Sequence, residues 1–321
     1  MVDRLRIGVI LLQAVEDHCF FFGGMGIKPA HAPCFLHEVG VRFGTHEPEG
    51  DLAAWSDYSD AVVSAAYCCH GPGQLLPFCF MFEHGHDIEV CATIKELCEH
   101  CDAVMLINTG SLGDENLSLI EPVLRAGKPT FVDKFLAPEP ADAQAMVDLA
   151  REHDVLLTCH SLLTHMPATK RSLASLNGHL VESVTSVGVG MDSIVMSCHS
   201  VAHLQLATGD RLVQSITARR EDKDVIVNVT LNDGTPCELT SVGFNEHNIF
   251  SVQWQTGSHL IESICILDEF RCAADTIMRQ FIDAARSGQT TLRPVDAMLN
   301  QVWTCNAITE SLDTGQTITR G

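Results

Sequence analysis

The stretch Leu124 to Lys134, LRAGKPTFVDK, most limits what this chain can fold into, because it reads as a helix end, a turn, a buried strand and a reactive side chain in immediate succession. Leu117 to Ala126 carries apolar residues at helical spacing, and Gly127 supplies the left-handed position that stops a helix. Pro129 to Val132 is short, apolar and β-branched, the pattern of a strand covered on both faces in a parallel sheet. Asp133 and Lys134 then fall at the carboxyl end of that strand, where open α/β sheets bind their ligands. A lysine there can donate a proton or hold a hydroxyl; the plainer reading is a solvated lysine at a strand end.

The same alternation runs through the first half. Leu5 to Leu12 is expected as a strand, Glu38 to Thr45 as a second, and Ala53 to Cys69 as a helix. A short strand follows at Ile88 to Cys91, and Thr93 with Glu96 three residues on has the capping-box spacing of a helix start. Ala103 to Asn108 is the clearest buried strand. A helix over Ala141 to His153, opened by Pro138 and Pro140, leads to a strand at Val155 to Cys159. Repeated strand and helix predict an α/β fold whose N-terminal, Rossmann-like domain, residues 1–157, is a doubly wound parallel sheet.

From Ser183 the strands lengthen and alternate: SVTSVGVG, then DVIVNVTL, with Asn232-Asp233-Gly234 as a hairpin turn into CELTSVG, and more strand over Ser251 to Ile266. Residues 158–321 are therefore expected as an α+β domain for substrate binding and oligomerisation, built on a large, mostly antiparallel sheet. Helices near Ala273 to Ser287 and Val295 to Leu312 close the chain, and the last has the option of packing back on the first domain.

Partners are bounded by charge. Against 20 Lys and Arg stand 41 Asp and Glu, a formal charge of -21, which argues against nucleic acid or an anionic membrane surface. No run approaches the roughly 20 apolar residues of a membrane span, and the opening MVDRLRIGVILLQAVED lacks the pattern of a secretory signal. The 14 cysteines are scattered, as expected of reduced thiols in a cytoplasm, and Cys98 and Cys101 read as helix residues rather than a metal or redox pair.

A dinucleotide site at the first strand would need Gly-x-Gly-x-x-Gly, yet Leu11, Gln13 and Glu16 occupy those positions, and Gly23, Gly24 and Gly26 come too late and read as a loop. Asn108, Thr109 and Gly110 at the carboxyl end of their strand, with Asp133, are the remaining candidates for cofactor contacts. His199 and His203 are four apart on an expected helix and so share a face, as a metal pair would. A third ligand could come from His165, from His160 or from Asp192; the alternative is one catalytic histidine among packing residues. His84, His86 and His247 carry less weight.

Three segments, AGKPTFVDKF, SCHSVAHLQLATG and the ending from FIDAARSG through ESLDTGQ, resemble the Gfo/Idh/MocA oxidoreductases, the family of glucose-fructose oxidoreductase and inositol dehydrogenase. The resemblance covers nearly the whole chain. It implies a catalytic lysine at Lys134, a catalytic histidine at His199, a carbohydrate or polyol substrate, NAD(P) as cofactor and a homo-oligomer built through the C-terminal sheet. The chain departs from the family pattern at Val195, where an aspartate is expected, and at the phosphate-binding glycines. Three functions therefore stay open. One is a nicotinamide-dependent oxidoreductase with an atypical cofactor site. A second is a nicotinamide-free, glycoside hydrolase-like hydrolase or lyase using a divalent transition metal on His199, His203 and His165. The third is a non-catalytic sugar-binding or partner subunit.

Overall fold

The computed structural model describes residues 4–12, 60–71, 88–107, 113–176, 178–188, 191, 194–242, 250–257, 259–265 and 267–321. The first half folds around a six-stranded parallel sheet of β1 (Leu5–Leu11), β2 (Ala61–Cys68), β3 (Glu89–Val90), β4 (Ala103–Ile107), β5 (Thr130–Asp133) and β6 (Leu157–His160), in the order β3-β2-β1-β4-β5-β6. Strand order reverses between β1 and β4, so the ligand crevice of such a sheet opens beyond their carboxyl ends. Every residue of β4, β5 and β6 is buried, which is why these strands read as short apolar runs.

One expected element is corrected. Ala53 to Cys69 reads as a helix, but Ala61–Cys68 is a strand paired in parallel with β1. Its alanines favour helix in isolation, whereas burial on both faces beside β1 selects the extended chain. The expected strand at Glu38 to Thr45, Gly23, Gly24, Gly26, Asn108, Thr109, Gly110, His84, His86, Asp192 and His247 lie outside the described residues.

Three helices of this half start and stop where local chemistry directs. In α1 (Ile94–Glu99) the Glu96 N–H donates to Thr93 Oγ1 at 3.1 Å, and the Ala92 N–H donates to Glu96 Oε2 at 2.8 Å. This is a capping box whose return bond reaches the residue before the cap. α2 (Asn116–Arg125) ends at Gly127, whose φ of +68° lets the Lys128 N–H turn back to the Val123 carbonyl at 3.2 Å. α3 (Pro140–Glu152) begins on its proline, whose missing N–H costs nothing in the first turn.

The second half is built on a seven-stranded sheet: β7 (Ser183–Val187), β8 (Val213–Glu221), β9 (Asp224–Leu231), β10 (Pro236–Val242), β11 (Phe250–Thr256), β12 (His259–Cys265) and β13 (Ile318–Thr319). Their order is β12-β11-β7-β10-β9-β8-β13, and every pairing is antiparallel except β10 with β7. The Asn232-Asp233-Gly234 turn joins β9 to β10 as expected. Between the sheets run α4 (Leu162–His165), α5 (Pro167–Ser175) and the apolar α6 (Ile194–Thr208).

The closing helices tie the halves together. In α7 (Leu267–Ser287), Ile277, Met278 and Phe281 share a core with Ile7, Met105 and Phe131 of the parallel sheet. In α8 (Val295–Thr314), Met298 and Val302 cover that sheet's other face, while Cys305 and Ile308 join the core of the antiparallel sheet. The carboxyl ends of β5 and β6 are thereby held beside α6. Among the described residues no helix is long and apolar enough to cross a membrane.

Candidate active site at the carboxyl edge of the parallel sheet

β5 delivers Asp133 and Lys134 to the edge, where Asp133 pairs with His160 of β6 and the Lys134 N–H donates to the His160 carbonyl at 3.2 Å. Lys134 is only 2% exposed and Asp133 is fully buried, so the reading of Lys134 as a solvated strand-end lysine is set aside. Ions are taken out of water at this cost where they have partners or a task. The Lys134 backbone also sits at φ +67°, a left-handed conformation that costs a side-chain-bearing residue about 1 kcal/mol. Its neighbours hold it there. The Cys159 thiol donates to the Lys134 carbonyl, and Asn116 Nδ2 donates to the carbonyls of Phe135 and Leu136 at 3.4 and 2.8 Å.

Gly113 closes against the same segment. It has φ +83°, and an added Cβ would lie 2.7 Å from the Phe135 ring. Gly113→Ala should therefore cost about 2 kcal/mol in denaturant unfolding and disturb Lys134 through Phe135. An unchanged midpoint would show that this contact yields freely.

His199 comes from α6. Its Nδ1 lies 2.7 Å from Ser161 Oγ, at the end of β6, and both residues are buried. The adjacent Cys198 thiol is held well above its ordinary pKa, first by burial and then by Cys305, with Lys134 pulling the other way. The first turns of α6 therefore face the Lys134 end of β5. The fold thus brings together Asp133, Lys134, Ser161 and His199. Ser161 was not singled out by sequence, since a serine between a strand and a four-residue helix carries no periodic signal.

The histidine set proposed for a metal is not assembled. His203 Nδ1 lies 3.0 Å from Ser186 Oγ on β7, whereas His199 Nδ1 is committed to Ser161. His165 turns elsewhere and packs edge-on against His160 with ring centroids 5.0 Å apart. Their contacts thus run in three different directions, and among the described residues no group of three or more His, Cys, Asp or Glu could hold a metal ion. The ten cysteines whose side chains are described are free thiols. Cys101 lies under Gly8, and burial pushes its thiol up to about 12, as suits a packing residue.

Behind Ser161 lies a cavity of about 140 Å³ lined by His160, His165, Gln205, Asp210 and Arg293. Arg293 Nη1 donates to the Cys159 carbonyl at 3.0 Å and to Gln301 Oε1 at 3.0 Å, and its Nη2 donates to Gln205 Oε1 at 2.9 Å. One guanidinium thus joins β6, α6 and α8.

Burial lowers the pKa of both His165 and His203 from 6.5 to about 4. In the unfolded chain these rings take up protons near pH 6.5, while in the folded protein they stay neutral until about pH 4. The unfolded state therefore binds more protons across that window, and stability falls as pH drops from 6.5. Unfolding free energy should decline by about 3 kcal/mol between pH 6.5 and 5. Denaturant titrations at the two values, with His203→Leu flattening the slope, check this.

A nicotinamide dinucleotide fits the strand order and the switch point between β1 and β4. Of the three positions where the sequence lacks the expected glycines, Leu11 ends β1, and Gln13 and Glu16 lie outside the described residues.

Residues 53–161 match the model of the Gfo/Idh/MocA oxidoreductase family, NAD-binding Rossmann fold. No curated protein matches the chain. Among solved structures, GenD2 from gentamicin A biosynthesis, in complex with NAD, is similar with a TM-score of 0.74 at 14% identity, covering 100% of this chain and 97% of that one. Myo-inositol 2-dehydrogenase from Lactobacillus plantarum is similar with a TM-score of 0.72 at 11% identity, covering 99% and 100%. Scyllo-inositol dehydrogenase from Lactobacillus casei, with bound NAD(H) and scyllo-inositol, gives a TM-score of 0.69 at 12% identity, covering 99% of each chain. At such identities the likeness shows a shared fold.

Proposed function

We propose that this chain is a member of the Gfo/Idh/MocA oxidoreductase family and a nicotinamide-dependent enzyme that oxidises or reduces a hydroxyl-bearing carbon of a carbohydrate or polyol. The observation that carries the reading is the placing of buried Lys134 at the end of β5 next to the end of β6, where Ser161 holds His199. In this reading Lys134 holds the substrate hydroxyl, and His199, whose Nδ1 is committed to Ser161, takes the hydroxyl proton through Nε2. The nicotinamide, when bound, supplies the hydride acceptor. Asn108, Thr109, Gly110 and Asp133 are the residues assigned to its contacts, and the pyrophosphate is held without the family's glycines. The formal charge of -21 favours a neutral polyol over a phosphorylated sugar.

The protein is further proposed to act in the cytoplasm as a homo-oligomer that meets its copy through the antiparallel sheet. Leu260 and Ile264 of β12, 59% and 55% exposed, lie at that sheet's edge. The functional test is the initial rate of NAD+ and NADP+ reduction over a panel of neutral polyols. Turnover lost in His199→Ala supports the assignment. Turnover undiminished in that variant removes His199 from the chemistry.

A further inference from the structure

We infer that Ser161 is a positioning residue that fixes the tautomer of His199, an inference that rests on the oxidoreductase reading for its chemistry but not for its geometry. Ser161 is the N-cap residue of α4, the place where a serine hydroxyl ordinarily accepts an N–H of the first helical turn. It makes no such bond. Its hydroxyl is turned instead to His199 Nδ1 at 2.7 Å, and the two residues are 1% and 7% exposed. The backbone is held independently of that choice, because the Ser161 carbonyl accepts from the Thr164 N–H at 3.2 Å and from Thr164 Oγ1 at 2.7 Å. The hydroxyl has been committed to the ring at the expense of its own helix.

The direction of the bond follows from what lies on either side of Ser161. The serine also lines the 140 Å³ cavity that reaches half-exposed Asp210. That space has room for a few waters at roughly 30 Å³ each. The hydroxyl can therefore give its own hydrogen toward the cavity and accept from Nδ1–H, which leaves Nε2 bare as the base. When Nε2 takes the substrate proton, the Nδ1–H keeps its bond to Ser161 Oγ, which orients and stabilises the imidazolium until Nε2 gives that proton to water after the product leaves. The proton enters and leaves the ring at Nε2, so the Nδ1–H tautomer is kept through the cycle. His160 and His165, the other rings at the cavity, stay neutral near pH 7, since burial lowers the pKa of both and brings His165 to about 4. The other titratable groups around the pair are Lys134 and Asp133 at the end of β5, Cys198 on α6, and Asp210 and Arg293 across the cavity.

Two measurements on the full-length protein test the assignment. In nitrogen-15 spectra of the histidine rings at neutral pH, the His199 signals, identified by their loss in His199→Ala, should show a protonated Nδ1 and a bare Nε2. Ser161→Ala should mix the tautomers and Ser161→Thr should preserve the native pattern. In steady-state assays with NAD+ and the best polyol, Ser161→Ala should lower kcat by about 10- to 100-fold with KM nearly unchanged, and Ser161→Thr should restore most of it. A protonated Nε2 in the wild-type protein overturns the inference even if Ser161→Ala fails to fold. An unaltered ring pattern with unaltered kcat in Ser161→Ala overturns it as well. The expected ring pattern in a protein that turns over no polyol supports the positioning of His199 and counts against the oxidoreductase reading alone.

Discussion

Lys134→Ala should lower kcat/KM for polyol oxidation by about three orders of magnitude, while thermal unfolding stays close to that of the wild-type protein. The large effect is expected because the proposed mechanism gives Lys134, 2% exposed and on a backbone fixed from both sides, the task of holding the substrate hydroxyl. The small effect on stability is expected because those fixing bonds use the main chain of residues 134–136, which alanine keeps. Lys134→Arg should rescue little, since a planar guanidinium is too broad for the space that the buried ammonium fills. Initial rates beside thermal midpoints check both halves. A Lys134→Ala protein that keeps its rate removes the lysine from the mechanism.

Arg293→Met should destabilise the protein by about 3 to 4 kcal/mol, the largest single-site effect on folding expected outside the sheet cores. The guanidinium serves three acceptors on three elements: the Cys159 carbonyl, Gln301 Oε1 and Gln205 Oε1. Those amides are themselves engaged, Gln301 Nε2 with the Cys198 carbonyl at 2.8 Å and Gln205 Nε2 with the Ala297 carbonyl at 2.7 Å. They cannot turn over to compensate. Methionine fills much of the volume but leaves three oxygens without their charged donor, and each such loss costs about 1 kcal/mol or more. Because Cys159 and Cys198 flank Lys134 and His199, a fall in kcat should accompany the lower denaturant midpoint. A midpoint within experimental error of wild type would show that water replaces the guanidinium without cost.

Much of the fold was legible because burial and local chemistry agreed. The Gly127 stop, the β5 strand, the Thr93 capping box and the Asn232-Asp233-Gly234 hairpin each combine a short-range signal with the burial pattern that follows. Ala61–Cys68 misled because alanine-rich, doubly buried parallel strands and buried helices share one composition. Lys134 and His199 could be named from the resemblance, and the fold then buried both at one edge. The reading of His199 and His203 as a metal pair used helical spacing correctly but could not see that their rings are drawn to hydroxyls on different elements, Ser161 and Ser186, and that no group of three ligands assembles among the described residues. Ser161 itself was invisible for the converse reason, since its partner lies 38 positions away and on a different element.

The central claim, that the edge holding Lys134 and His199 faces a nicotinamide cofactor in spite of Leu11, Gln13 and Glu16, is tested most directly by titrating the purified protein with NADH and NADPH in a calorimeter, after measuring what nucleotide and metal it already carries. Saturable binding of one dinucleotide per chain, or a dinucleotide released on denaturation, is the predicted result. A stoichiometric transition metal with no dinucleotide bound or binding would contradict it.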